Sequence, residues 1–297
     1  MRLLGLLLFA FVLMHVDLDH TLGLLRQVRY PYVLGAALLT LPMVWLKSWR
    51  WRLLLSGLGI TISGFRCFKL YLIGMFAGHV TPGQLGEVVK AAYLRDDGHP
   101  FGAAIMTVVL DRIADLALLV VLTVPGLLLL KSLHAGRSAF LGVLATGCLL
   151  ISRPVRGMAS EAGRGAWEAI RRWLQARSGA ALPEWPAAGL GRLALGQVLL
   201  LTCGAYAVTC LRYLLLLLAL GVTMPVVYLV FGMAVMGVAT MLPFSVAGIG
   251  TRDATLLLVF GAAGLGSGAA LGFSMLVLSM VLLQSAMGCA AWVCARR

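Results

Sequence analysis

Long apolar runs fill most of the chain, and the polar positions fall between them. The runs cover approximately residues 2–16, 31–47, 68–79, 85–94, 101–130, 138–152, 191–220, 226–242, 253–264 and 267–294. They are continuous and Leu-rich, without the alternation of barrel strands, so they predict helices. A helix needs about 20 residues to cross a bilayer. The runs 68–79 and 85–94 are too short, and they flank a polar break, Thr81-Pro82-Gly83-Gln84-Leu85-Gly86-Glu87, with Lys90 just beyond. The runs 226–242 and 253–264 flank a second, Pro243-Phe244-Ser245-Val246-Ala247-Gly248-Ile249-Gly250-Thr251-Arg252-Asp253. Unwound backbone and charge at membrane depth are costly unless buried in protein or lining a wet cavity. The pattern predicts an all-α polytopic bundle. It has about six full spans and two re-entrant helical hairpins, about 68–96 and 226–264, in one integral membrane domain over 1–297.

Composition agrees. Of 297 residues, 61% are hydrophobic and 12% charged, against about half and about a quarter in soluble domains. Mean hydropathy is +0.97. The net charge of +13 forms no single basic patch, so nucleic acid is not implied as a partner. The six cysteines show no CxxC and no zinc spacing. Residues 3–14 resemble a signal-peptide core, but no small-x-small cleavage site follows, so an uncleaved first helix is expected. It is short for a full span.

Lys and Arg in short loops set orientation. Lys47, Arg50, Arg52, Arg66 and Lys69 cluster before the first hairpin. Arg153, Arg156, Arg164, Arg171, Arg172 and Arg177 fill the long loop, and Arg296 and Arg297 end the chain. In this topology all share one side with Arg2. The other side receives Arg26 and Arg29, offset by Asp17 and Asp19, plus Lys131 and Arg137. Both termini are thus expected to be cytoplasmic in a cell inner membrane, with the hairpins entering from opposite faces. Trp45, Trp49 and Trp51 read as interfacial anchors. The loop 153–190, with Trp167, Ile170, Trp173 and Leu174 among its bases, suits either a helix on an anionic inner leaflet or an ordinary basic loop.

The charged residues inside apolar runs are the candidate site. After Pro82 and Gly83 stop the helix, the restarting half-helix offers unpaired amides to an anionic group. Glu87 and Lys90, three apart, either satisfy one another or form a polar wall facing a substrate path. At the second break Gly248 and Gly250 permit close approach to the backbone. Arg252 either grips a phosphate in forked geometry or pairs with a carboxylate elsewhere in the bundle. Asp111, Arg112 and Asp115 form a third cluster, whose two acids share a face and require Arg252, Lys90 or a proton between them. A helix from Phe101 puts them mid-membrane; a span from Ile113 puts Asp111 and Arg112 at the surface. Arg212, inside 191–220, needs a partner or a snorkelling route. His79 reads as a hydrogen-bonding partner. His15, Asp17, Asp19 and His20 read as a solvated turn rather than a metal site. No catalytic residue, cofactor or metal is implied, since esterase, P-loop, HExxH and paired CxxC patterns are all missing.

At these residues the chain resembles the lysylphosphatidylglycerol synthase transmembrane, or flippase-like, family. The resemblance rests on Trp51-Arg52-Leu53-Leu54-Leu55, then Pro82-Gly83-x-x-Gly86-Glu87-x-x-Lys90, Asp111-Arg112, and Pro243 through Gly248-x-Gly250-x-Arg252-Asp253. It covers nearly the whole chain. Members include the membrane half of the multiple peptide resistance factor, which translocates aminoacylated phospholipid; others are associated with hopanoids and archaeal glycosylation. The resemblance implies two re-entrant hairpins and lipid translocation. Two departures stand out: Asp253 replaces the usual Glu, and no cytosolic synthase domain is seen.

The leading expectation is therefore a non-enzymatic lipid translocase. Its headgroup path would run along Pro82, Gly83, Gly86, Glu87, Lys90, Asp111, Arg112, Asp115, Arg212, Pro243, Gly248, Gly250, Arg252 and Asp253. Alternatives are a secondary transporter of a small polar solute, a membrane transferase using His79 and Glu87, and a non-transporting partner of a lipid or glycolipid biosynthesis complex. Expected partners are membrane lipids; a homodimer and a separately encoded lipid-synthesis enzyme remain open.

Overall fold

The computed structural model describes residues 25–131, 192–241 and 248–295, with Gly23, Gly165, Glu168 and Arg172. The runs 2–16 and 138–152, the turn bearing His15, Asp17, Asp19 and His20, Pro243, and the remainder of the loop 153–190 lie outside the described residues. Every element among the described residues is helical. The elements are α1 (Tyr30–Leu38), α2 (Thr40–Gly57), α3 (Gly64–Val80), a 3-10 segment (Pro82–Val88), α4 (Val89–Asp96) and α5 (Phe101–Lys131). After them come α6 (Arg192–Ala219), a π-helical turn (Tyr228–Gly232), α7 (Met233–Met241), α8 (Thr251–Ala262) and α9 (Ser267–Val293).

Among the described residues, three helices are long and apolar enough to cross a membrane: Tyr30–Gly57, Ala194–Ala219 and Ser267–Val293. The 31-residue α5, roughly 45 Å by helical rise, has the length but carries Asp111, Arg112 and Asp115. It starts at Phe101, so those charges lie well inside the helix. The first described span is longer than its hydropathy implied. Leu39 keeps helical φ and ψ, so α1 runs into α2, and the helix continues past Lys47 to Gly57. Leu53, Leu54 and Leu55 restore the apolar face after the Trp- and Arg-rich stretch.

That extension corrects the anchor reading. Trp45 and Trp49 are exposed, but Trp51 is buried, and its Nε1 donates to Thr107 Oγ1 at 3.0 Å. It also corrects the loop-charge reading, because Lys47 and Arg50 project inward to carboxylates of α5.

At the first break the chain doubles back. Thr81 is extended, and the 3-10 segment begins at once with Pro82, where a missing N–H costs nothing. The returning segment lies against α3 so closely that a Cβ on Gly86 would sit 2.1 Å from the Ala77 carbonyl oxygen. Only glycine fits there. The two ends of the hairpin meet: Arg66, near the start of α3, donates to Asp97, just past α4, at 2.8 Å. At the second break α7 and α8 pack together, and α8 packs on α9.

Two large apolar clusters result among the described residues. One gathers Trp51, Leu70, Leu94 and Met106 from α2 to α5. The other gathers Leu216, Met233, Phe260 and Phe273 from α6 to α9. Contacts of α9 with α3, and of α6 with α1 and α2, join the two halves.

Candidate functional site

The acids of α5 find their base on α2. Asp111 and Asp115 lie one turn apart, so one inserted cation can meet both. Arg50 does this: Nε donates to Asp111 Oδ1 at 2.9 Å, and Nη1 reaches both Asp115 Oδ1 and Thr202 Oγ1 of α6. Asp111 Oδ2 also accepts from Tyr71 at 3.1 Å and lies 3.5 Å from Lys90 Nζ. Lys47 donates to Asp115 Oδ2 at 3.1 Å. Of the bases proposed for this role, Lys90 takes a secondary part, and the described partners of Arg252 lie elsewhere. Arg50 was missed because hydropathy falls at Lys47; the helical continuation through Leu55 was the available signal.

Glu87 and Lys90 do pair, at 3.0 Å, but not with each other alone. Glu87 also meets Arg112, whose Nη1 donates to Gln84 Oε1 at 2.7 Å. Lys90 is fully buried, under the rings of Tyr71 and Trp51 at 4.3 and 5.0 Å from their centroids. That contact favours a cation stripped of water. The first hairpin and α5 thus share one network. Pro82 and Gly83 contribute backbone to the 3-10 segment, and Gln84 takes a positive φ of 57°.

The second break forms its own cluster. Gly250, at φ 85°, precedes α8 as its N-cap, and its N–H donates to Asp253 Oδ2 at 2.8 Å. Asp therefore suffices where a Glu was expected, because this carboxylate caps its own helix. Gly248, at φ 76°, turns the chain two residues earlier. Arg252 Nε donates to Ser274 Oγ at 2.7 Å, and Ser274 in turn donates to Asp253 Oδ1. Arg252 Nη2 is 3.4 Å from the same carboxylate oxygen. Its partner is thus its chain neighbour, and Ser274 had no sequence signal.

A cavity of about 230 Å³ lies between the two apolar clusters. Met43, Tyr71 and Met75 line it from one, Met233, Val277 and Met280 from the other. Lys47, Glu87, Arg112, Asp115 and Arg212 bring charge to its wall. A second cavity of about 100 Å³ adjoins it and holds Arg252 and Gly248; His79, Gln84, Tyr213 and Thr240 border both. His79 Nδ1 lies 3.0 Å from Ser285 Oγ, with no hydrogen bond to Glu87 among the described contacts. The predicted residues Glu87, Lys90, Asp111, Arg112 and Asp115 are therefore brought together. Gly248, Gly250, Arg252 and Asp253 form a neighbouring cluster, and Arg212 stands apart from both. The described residues hold no group of three or more His, Cys, Asp or Glu side chains fit for a metal.

Comparison with known proteins finds membrane proteins. The chain is similar to an UPF0104 membrane protein of Methanocaldococcus jannaschii, 28% identical over 124 residues, or 41% of this chain and 37% of the relative. An UPF0104 membrane protein of Pyrococcus horikoshii is 26% identical over 137 residues, covering 45% and 41%. The match thus spans about two-fifths of the length of these curated relatives. The family profile described as "Lysylphosphatidylglycerol synthase TM region" matches residues 2–288. A match over nearly the whole chain, on an all-helical apolar fold, makes this membrane protein a member of the lysylphosphatidylglycerol synthase TM region family.

Proposed function

We propose that the chain is a lipid translocase, in which the charged cavity carries a headgroup between leaflets while the acyl chains stay in the bilayer. One observation carries this reading: a hollow bordered by Glu87, Arg112, Asp115 and Arg212 lies between two apolar clusters of a membrane-family protein. Charge so placed is expensive in a membrane and is kept where a polar path needs it. The volume, about 230 Å³, is below that of a typical drug-sized ligand pocket. It suits a headgroup better than a whole lipid.

In this reading α3 to α4 and the π-turn to α8 are two re-entrant hairpins of one membrane domain. The meeting of Arg66 with Asp97 supports the first. The remaining basic residues near that end, Arg52, Arg66 and Lys69, favour cytoplasmic termini in a cell inner membrane. Glu87 meets the headgroup from the first hairpin, Arg112 from α5, and Arg252 from the second hairpin. The chain's own part is binding and passage, without covalent chemistry.

Reconstitution into proteoliposomes tests the reading. Glu87→Gln and Arg252→Ala are expected to abolish translocation of fluorescent phosphatidylglycerol while eluting as monodisperse folded protein. Wild-type rates in both folded variants would overturn the site. Mass spectrometry of co-purified lipid identifies the headgroup class.

A further inference from the structure

Arg212 differs from every other base of the buried network. It is 5% exposed, within α6. Its Nε donates to the Ala36 carbonyl at 3.3 Å, and its Nη1 lies 3.1 Å from Met43 Sδ. The Gln284 amide, with its oxygen toward the guanidinium, accepts from Nη1 and Nη2 at 3.0 and 3.1 Å. All of these partners are neutral. By contrast Arg50, Lys90, Lys47, Arg112 and Arg252 each face a carboxylate. Among the described residues no carboxylate lies within ion-pair distance of Arg212. Arginine cannot shed its proton to escape this position. A buried cation with hydrogen bonds but no counter-charge is costly, and an anion arriving beside it is correspondingly favoured.

Arg212 also lines the larger cavity, whose charged wall is Lys47, Arg112 and Arg212 against Glu87 and Asp115. The excess is one positive charge, the one Arg212 supplies. In the adjoining cavity Arg252, 3% exposed, has a buried Nη1 with no hydrogen-bond partner among the described residues. Two incompletely matched guanidiniums therefore stand in adjoining cavities, with His79, Gln84, Tyr213 and Thr240 on their shared border.

We infer that Arg212 is the primary binding site for a single anionic group, a phosphate or carboxylate, and that Arg252 Nη1 is a second station for the same group. The inference rests on the translocation reading for its path and adds the charge class of what moves: an anionic headgroup rather than a cationic one. Ala36, Met43 and Gln284 occupy four of the five guanidinium N–H groups, so the anion is drawn by the uncompensated charge and by the remaining Nη2 hydrogen.

The test uses the purified full-length protein, titrated with dioctanoyl phosphatidylglycerol, inorganic phosphate and uncharged dioctanoylglycerol, with Kd and thermal midpoint as readouts. Phosphatidylglycerol is expected to bind wild type and raise its midpoint. Arg212→Gln should weaken that binding by roughly tenfold or more, with Arg212→Lys intermediate. Dioctanoylglycerol should bind all three alike. Without ligand, Arg212→Gln should melt at or above the wild-type midpoint, because it removes an unmatched buried charge. Wild-type affinity in Arg212→Gln, or a lowered ligand-free midpoint in both variants, would overturn the inference. Phosphate bound through Arg212 while phosphatidylglycerol is not would support the anion site and overturn the lipid reading. Phosphatidylglycerol translocated by wild type but bound equally by Arg212→Gln would overturn the anion site alone.

Discussion

Asp111 gathers Arg50, Tyr71 and Lys90 around one carboxylate, and Arg50 spans from it to Asp115. In so closed a setting each charge depends on the others. Removing one partner strands the rest, at about 3–5 kcal/mol for a buried pair. Arg50→Met should therefore lower unfolding stability by about that amount, read from denaturation of the purified protein. Asp97→Asn should cost under about 1 kcal/mol, because the Arg66–Asp97 pair is partly solvent-exposed and screened. Equal losses in the two variants would contradict the network's central place. Several of these residues were legible as anomalies: Glu87, Lys90, Asp111, Arg112, Arg212, Arg252 and Asp253 are charges set in or beside apolar runs. Thr202, Ser274 and Gln284 were not, because small or uncharged polar residues are unremarkable in a membrane helix and acquire meaning only from what they touch.

At the scale of elements, the first break works through backbone proximity. Pro82 starts a 3-10 segment directly after extended Thr81, and Gly86 lets that segment lie against α3. A methyl at Gly86 has nowhere to go, since the obstacle is the Ala77 backbone and not a flexible side chain. Gly86→Ala should disrupt the folded hairpin and with it the Glu87–Arg112 contact. The check is loss of the monodisperse peak and of translocation together; a fully active, stable variant would show that the packing is looser than described. The break itself was readable from Pro82, Gly83 and Gly86 flanked by short apolar runs. The length of α2 was not, because Trp49, Arg50, Trp51 and Arg52 interrupt hydropathy although the helix continues to bury Trp51 and Arg50. A charged, aromatic stretch reads as an interface until the acids facing it are known.

Across the whole molecule, Glu87 from the first break and Arg252 from the second reach a pair of adjoining cavities, the larger of them between two apolar clusters. Five bases (Lys47, Arg50, Lys90, Arg112 and Arg252) pair with four acids (Glu87, Asp111, Asp115 and Asp253), and with Arg212 the excess is two positive charges. The order of motifs along the chain carried the family resemblance, and the profile match over 2–288 agrees with it. Local sequence patterns could not foretell the charge balance of the cavity, because it depends on Lys47 turning inward from a helix read as ending earlier. The most direct test of the central claim is transbilayer movement of head-labelled phosphatidylglycerol in proteoliposomes, followed by quenching of label in the outer leaflet. Wild-type protein should expose nearly all of the label to quencher, and Glu87→Gln should leave the inner half protected. Label that stays protected with wild-type protein, while a small anionic solute passes, would contradict the account.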